Sequence, residues 1–307
     1  AGPGPFTLFA PTNAAFAALP AGELDRLLLP QNRAELTAVL TYHVVAAKVE
    51  AATARTLSEA TSLQGGKMIV DTVGTSLFVN DAQVTDADKQ ASNGVIHVVD
   101  RVLLPPQSLV ATLQARGFGT LVTAVGAADL VTTLQGPGPF TVLAPTNAAF
   151  AALGQATLDS LLQPQNRAQL ARILTYHVVP GAVAAGDALT VQLAATVQGQ
   201  RVLFGRSGSN ANVNGTAIRT INIPCTNGVV HVLDGVLGVP SSIAQIATDG
   251  GFSTLVTALD AAGLTATFAD SAAGPFTVFA PTNAAFAALP PGLLSQLLQP
   301  VNRPVLT

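Results

Sequence analysis

The sequence predicts an α+β fold, repeated as a tandem array of similar domains. One motif, Gly-Pro-Phe-Thr-x-x-Ala-Pro-Thr-Asn-Ala-Ala-Phe-Ala-Ala-Leu, occurs three times, beginning at Gly4, Gly138 and Gly274. These copies are almost evenly spaced, and a constant interval of this length indicates repeated domains of ordinary size. Within a period, helical spacing of apolar residues comes first and short β-forming runs follow, which is typical of an α+β domain.

We expect three domains along the chain: residues 1–105, without N-terminal helices; residues 106–240, complete; and residues 241–307, the N-terminal half of a third. Ala1 stands just before the motif and Thr307 falls inside a predicted helix, so we expect a window of a longer protein. Such a window arises from poor order at the ends of a longer chain or from a repetitive fibre. Short proline-containing segments, 104–108 and 239–242, predict semi-rigid joints between the periods.

The second period shows the helices in order. Residues 109–134 carry an apolar stripe with helical spacing, interrupted at Gly117 and Gly119. A short helix is predicted over 148–153. Thr146 or Asn147 is expected to cap it, because the side-chain oxygen of either residue can accept hydrogen bonds from the backbone amides of the first turn. Two further helices are predicted near 158–162, ending at Pro164, and over 167–174.

The strands of the same period begin with an apolar run at 140–144 that Pro145 ends. Residues 176–179 leave the last helix as a strand that stops at the turn pair Pro180-Gly181. From residue 189 to 234 the pattern is β, and the sequence predicts antiparallel strands at 191–193, 202–204, 213–214, 218–221 and 229–233.

Composition excludes several classes of function. Charged residues make up 10% of the chain and the net charge is −3, so there is no electrostatic footprint for nucleic acid. The only lysines are Lys48, Lys67 and Lys89, which form no polybasic membrane patch, and no apolar run is long enough for a transmembrane segment. The single cysteine, Cys225, aligns with Ala91, so it is expected to be a small half-buried residue or, alternatively, an intermolecular disulfide partner.

Three segments in order resemble the fasciclin (FAS1) domain family: Phe-Thr-x-x-Ala-Pro-Thr-Asn-x-Ala-Phe, Tyr-His-Val-Val, and Asn-Gly-Val-[Ile/Val]-His-Val-[Val/Leu]-Asp. The resemblance covers the whole chain as one full and two partial copies. It implies a β-sandwich wedge with helices along one edge, in secreted or cell-surface proteins that mediate adhesion. The alanine-rich, lysine-poor composition is more similar to that of a bacterial member.

The resemblance also suggests where partners bind. Family members have been linked to cell binding through the Tyr-His segment, which makes Tyr42, His43, Tyr176 and His177 partner-binding candidates. Many adhesive members carry an Asp-Ile pair before the Asn-Gly box. This chain has Asp88-Lys89 and Asn222-Ile223 there, so integrin-type recognition through that loop is not expected.

The remaining candidate residues have structural interpretations. His97 and His231 alternate with aliphatic residues on a strand and are expected to be neutral and bonded to backbone. The tyrosine hydroxyls are expected to hold a turn. Asn93 and Asn227 head tight turns, and Asp100 and Asp234 are expected to accept backbone hydrogen bonds. Asn214-Gly215-Thr216 fits the N-glycan acceptor pattern, although a hairpin turn has the same composition.

The pattern predicts neither a metal site, a cofactor nor catalytic residues, because no histidine, cysteine or carboxylate cluster has ligand spacing and no nucleophile motif occurs. The leading hypothesis is a non-catalytic extracellular adhesion or structural protein that binds copies of itself, or cell-surface and matrix components, and assembles into a fibre or matrix. The alternative is binding of an apolar small ligand such as a carotenoid, beside the alanine-rich helix at 148–153.

Overall fold

The computed structural model describes residues 3–208, 210–269 and 276–306, which form two compact units, 1–237 and 238–307. Ala1, Thr307 and Gly274, which opens the third copy of the motif, lie outside the described residues. The first unit contains two domains of the same fold, and the domain limits expected from the sequence stay a prediction.

The first domain begins with a strand and three helices: β1 (Phe6–Pro11), α1 (Asn13–Ala17), α2 (Glu23–Leu28) and α3 (Arg33–Tyr42). It continues with β2 (Val44–Val45), α4 (Ala51–Ala54), β3 (Glu59–Thr61), β4 (Lys67–Val73), β5 (Ser76–Val79), β6 (Ala82–Ala91) and β7 (Gly94–Val99). A single 3₁₀ turn, Pro30–Asn32, leads into α3.

The second domain begins with three further helices: α5 (Leu109–Ala115), α6 (Gly119–Ala127) and α7 (Val131–Gln135). The order of the first domain then repeats as β8 (Phe140–Pro145), α8 (Asn147–Ala151), α9 (Gln155–Leu161), the 3₁₀ turn Pro164–Asn166, α10 (Arg167–Tyr176) and β9 (Val178–Pro180). It ends with α11 (Ala185–Val191), β10 (Leu193–Ala195), β11 (Arg201–Ser207), β12 (Asn210–Val213), β13 (Thr216–Cys225) and β14 (Gly228–Leu233).

Each of these two domains is a wedge built on a nearly closed seven-stranded sheet, with strand order β2-β1-β7-β6-β5-β4-β3 in the first and β10-β11-β12-β13-β14-β8-β9 in the second. The two ends of the sheet meet, since the amide of Leu63 donates to the carbonyl of Val44 at 2.6 Å and that of Val197 to the carbonyl of Val178 at 2.7 Å. The α+β class and the wedge expected from the resemblance are confirmed.

The sequence did not predict one feature of the sheet, and one predicted strand was wrong. The first and last strands of each domain, β1 with β7 and β8 with β14, pair in parallel. Strands so far apart in the chain are not joined by a hairpin, so their direction is free. The strand predicted at 191–193 is the end of helix α11 followed by Gln192 at φ 61°, and β10 begins only at Leu193.

The local signals around the repeated motif hold. Thr146 caps α8, with its hydroxyl oxygen accepting from the amide of Ala149 at 3.0 Å. Phe150 and Leu174 then pack with Leu121 and Val125 of α6 in the core of the second domain. Burial of this apolar face against the sheet is the main stabilising contribution of the helices.

The second unit is helical in its described part. Its helices are α12 (Ile243–Asp249), α13 (Ser253–Ala262), α14 (Thr265–Ala269), α15 (Asn283–Ala287), α16 (Leu293–Leu297) and α17 (Arg303–Leu306), with a 3₁₀ turn at Pro300–Asn302. Residues 276–282, which correspond to β1 and β8, form no strand there. The strands that pair with β1 and β8 in the first unit have no counterpart among residues 238–269 and 276–306.

Candidate functional site

The tyrosine of the Tyr-His segment lies inside each domain and is fully buried. The hydroxyl of Tyr42 donates to the carbonyl of Lys67 at 2.7 Å and accepts from Nδ2 of Asn80 at 3.0 Å. In the second domain Tyr176 makes the same bonds to Arg201 and Asn214, at 3.0 and 2.8 Å. Burial raises the pKa of Tyr42 to about 12, so the phenol is neutral. The hydroxyl therefore anchors a turn, as the sequence indicated.

The two asparagines that reach the tyrosines lie in left-handed turns, Asn80 at φ 56° and Asn214 at φ 50°. The side-chain oxygen of Asn214 accepts from the amide of Leu203 at 2.8 Å, while its nitrogen is held by Tyr176. Asparagine tolerates this backbone region better than most residues. The turn conformation of Asn214 therefore explains why the N-glycan acceptor pattern Asn214-Gly215-Thr216 occurs here.

The histidine after each tyrosine is also buried, at 4% exposure for His43 and 2% for His177. Nδ1 of His177 lies 2.8 Å from the carbonyl of Ile173, and Nε2 accepts from the amide of Leu237 at 2.9 Å. A backbone amide can only donate, so Nε2 carries no proton and the ring is neutral. Burial lowers the pKa of His177 to about 4. His43 is bound in the same way by Val39 and Leu103.

These contacts place the four partner-binding candidates in the interior of their domains. There they connect helix α3 or α10 to the sheet and to the segment that follows β7 or β14. Buried side chains present no surface to another molecule, so a partner at this segment has to contact the atoms around them. Their partner-binding role stays a prediction.

The second pair of histidines is bonded to the backbone. Nε2 of His97 lies 2.8 Å from the carbonyl of Val49, and Nδ1 accepts from the amide of Asp88 at 3.2 Å. His231 repeats this arrangement with Val183 and Asn222, at 2.9 and 3.2 Å. Burial lowers the pKa of His231. Both rings hold the irregular part of the neighbouring strand, β6 or β13, against the last strand.

The polar residues at the ends of the last strand have distinct contacts. Oδ1 of Asp100 accepts from the amide of Gln83 at 2.7 Å, whereas Asp234 pairs with Nε of Arg219 at 2.9 Å. Asn227 accepts from the amide of Leu109 and donates to the carbonyls of Leu134 and Gly136. Asn93 ends the turn between β6 and β7, and its carbonyl accepts from the amide of Phe6 at 3.0 Å.

The contact between the two domains of the first unit is built from residues that the sequence reasoning missed. Asp71, on β4, is 9% exposed. Its Oδ2 accepts from Nδ2 of Asn222 at 2.7 Å and from the amide of Gly186 at 2.9 Å, both in the second domain. Oδ1 of Asn222 in turn accepts from the amide of Ala185 at 2.9 Å. Two side chains distant in sequence thus cap the start of α11.

An ion pair fixes a second point of the same contact. Nη1 of Arg116, at the end of α5, lies 2.6 Å from Oδ2 of Asp81, whose side chain is 3% exposed. Gly205 and Gly215 occupy the positions of the second domain that correspond to Asp71 and Asp81. The fold of one domain therefore does not require these carboxylates, and this difference between copies is the signal that could have revealed the interface.

The loop before the Asn-Gly box takes part in the interface in only one domain. Asn222 and Ile223 are 0% and 2% exposed. Asp88 is the counterpart of Asn222 and has the same left-handed backbone, and its Oδ1 accepts from the amide of Ala51 at 2.8 Å. This position therefore caps an earlier helix in both domains, α4 in the first and α11 in the second.

Nothing in the described ranges has the geometry of a metal centre, which would require three clustered histidine, cysteine or carboxylate side chains. The Cys225 thiol is half-buried beside the hydroxyl of Thr112, and burial raises its pKa to about 11. An apolar cavity bordered by Leu121, Phe140 and Leu174 has a volume of about 30 Å³, roughly two to three times the minimum that holds one water molecule. It does not border residues 148–153, beside which the alternative hypothesis places an apolar ligand.

Across residues 3–208, 210–269 and 276–306, no helix is both long enough and apolar enough to cross a membrane.

Comparison with known proteins finds both sequence relatives and a solved structure that resemble this chain. The porcine transforming growth factor-beta-induced protein ig-h3 is 32% identical over 93% of this chain, and the chain spans only 42% of that protein. Protein sll1483 of Synechocystis is 46% identical over 40% of this chain and 68% of its own length. A solved fasciclin domain pair from the insect cell adhesion molecule fasciclin I aligns with a TM-score of 0.43 at 16% identity, covering 76% of this chain and 89% of that one.

The fasciclin domain model matches three stretches of the chain, residues 1–105, 116–240 and 250–307. Fasciclin-domain homologues of this chain are adhesion or extracellular proteins. Since the matches cover most of the sequence, this chain belongs to the fasciclin domain family.

Proposed function

We propose that this protein is a non-catalytic extracellular adhesion and structural protein that acts through the number and geometry of its linked domains. In this proposal its partners are other copies of itself or cell-surface and matrix components, and it assembles into fibres or a matrix. Tandem domains raise the effective concentration of each contact, so weak single contacts add up to strong attachment.

The observation that carries the proposal is the buried contact between the two domains of the first unit. A carboxylate removed from water is tolerated only when its hydrogen bonds are satisfied, and Asp71 satisfies two of them with groups of the other domain. The domains therefore lose favourable interactions when they separate. A fixed angle between neighbouring domains is better suited to a rigid, elongated assembly than to a flexible chain of independent domains.

The segment between the domains supports the same proposal. Leu103 is bonded through its amide to the ring of His43 in the first domain, at 3.0 Å. Four residues later, the carbonyl of Gln107 accepts from the amide of Thr226 in the second domain, at 2.8 Å. Pro105 and Pro106 lie between these two anchors and restrict the backbone.

Electron microscopy of the protein isolated from its source, in the length at which it occurs there, tests the assembly. We expect fibres or rods with a regular repeat along their length, and retention of cells or matrix on surfaces coated with them. Globular monomers with variable angles between domains, or coated surfaces that retain no more than uncoated ones, would contradict the proposal.

A further inference from the structure

A cavity of about 380 Å³ lies where the two domains of the first unit meet, and a larger one of about 570 Å³ shares Arg101 and Arg116 with it. Three arginines line the smaller cavity: Arg101, just after β7 in the first domain, and Arg116 and Arg219 in the second. No aspartate or glutamate is among its lining residues. The chain as a whole has a net charge of −3. The charged residues that line this cavity are all cationic, so its lining differs in sign from the net charge of the chain.

The ion pairs of these arginines leave hydrogen-bond donors available. Arg116 is paired with Asp81, and Arg219 with Asp234, at 2.6 and 2.9 Å. Arg101 is exposed, and its guanidinium makes no hydrogen bond or ion pair with any residue that the structure describes. No carboxylate of the described residues pairs with the positive charge of Arg101, and each guanidinium has five N–H donors.

The remaining lining offers hydroxyls and a small apolar surface. The Thr146 hydroxyl accepts from the amide of Ala149, so its own hydrogen is free to donate. Thr220 adds a second hydroxyl, and Phe118 and Val232 add apolar surface. The volume lies within the range of small-molecule sites, and guanidinium groups bind the planar carboxylate in a bidentate manner.

We propose that this cavity binds a uronate, the carboxylate-bearing sugar residue of an acidic polysaccharide. The arginines bind the carboxylate, and the threonine hydroxyls bind hydroxyls of the ring. The site exists only in the domain pair, because Arg101 comes from one domain and Arg219 from the other. The inference rests on the proposed adhesive function, in which such a polysaccharide is the matrix component that the protein holds.

Isothermal titration of the whole chain with an oligogalacturonate, at low and moderate salt, tests this proposal. The matched ligand is the methyl ester of the same oligosaccharide, which has no charge. The variants are Arg101→Ala and Arg219→Ala, with Arg172→Ala, an exposed arginine of α10 outside the cavity, as the control. Inorganic sulfate and an aspartate-rich peptide are titrated in parallel.

We expect the oligogalacturonate to bind, more weakly as salt rises, and the methyl ester not to bind. Arg101→Ala and Arg219→Ala should each raise the Kd at least about tenfold, as for loss of a charge-assisted hydrogen bond, while Arg172→Ala leaves it within about twofold. No binding, equal binding of the ester, or unchanged affinity in both cavity variants overturns the proposal.

Two further outcomes also overturn it. Sulfate binding as tightly as the oligogalacturonate would mean an adventitious ion only, and tighter binding of the peptide would assign the site to an acidic protein partner. The result is separable from the proposed function. Uronate binding by a protein that forms no fibres and retains no cells would leave the site in place, and adhesion without uronate binding would leave the proposed function in place.

Discussion

Acidification should destabilise this protein through His177, beginning above the pH at which most carboxylates titrate. The ring accepts a hydrogen bond from the amide of Leu237 and is fully enclosed, so the folded state holds it neutral. Burial lowers its pKa from 6.5 to about 4. In the unfolded chain the same ring takes up a proton near pH 6.5.

The magnitude follows from the difference between the two pKa values. Between pH 6.5 and about 4 the unfolded state binds more protons than the folded state, so stability is full above pH 6.5 and falls as the pH drops through this window. A shift of this size corresponds to roughly 3 kcal/mol for His177 alone. His43 and His231, whose pKa values are also lowered by burial, act in the same direction.

Urea unfolding at pH 7.0 and at about pH 4.5, followed by circular dichroism, measures this effect. The control is His177→Gln, because a glutamine amide can accept from Leu237 and has no titratable proton. We expect the wild-type protein to lose more unfolding free energy on acidification than the variant does. Equal losses, or an NMR titration of the His177 ring with a midpoint near pH 6.5, would refute the reasoning.

Three other predictions concern single contacts. Asp71→Ala should cost about 1–3 kcal/mol, because Asn222 and the amide of Gly186 lose their acceptor; thermal unfolding of the domain pair measures this, and an unchanged midpoint would count against it. Asn214→Ala should cost a similar amount, and mass spectrometry of the protein from its source should find no glycan at Asn214; a glycan there would contradict the hydrogen bond from its side-chain nitrogen to the Tyr176 hydroxyl. Gly228→Ala should cost at least about 3 kcal/mol, because the new Cβ would overlap the carbonyl of Phe140 on the parallel neighbour; a chemical-denaturation midpoint equal to that of wild type would exclude this.

Local sequence signals predicted the elements of the repeated motif well. A proline ended β8, Thr146 capped α8, and the helical spacing of Leu170 and Leu174 located α10. Each of these features depends on residues within a few positions of one another. The fold class followed from them, since the helices and strands fall in separate parts of each period.

Features set by distant residues were not predictable in the same way. Helix α11 was missed because its first amides are capped by Asn222 and Asp71, which belong to a later strand and to the other domain. The parallel pairing of β8 with β14 joins residues at opposite ends of one domain. The cationic cavity depends on two domains together, so no single period of the sequence contains it.

The central claim is that the two domains of the first unit form one rigid joint. The most direct test is a distance measurement between spin labels at Ala34→Cys, on α3, and Arg172→Cys, on α10, in a Cys225→Ser background. Both positions are exposed. We expect one narrow distance distribution that broadens when Asp71→Ala is added. A broad distribution in the labelled parent, unchanged by Asp71→Ala, would contradict it.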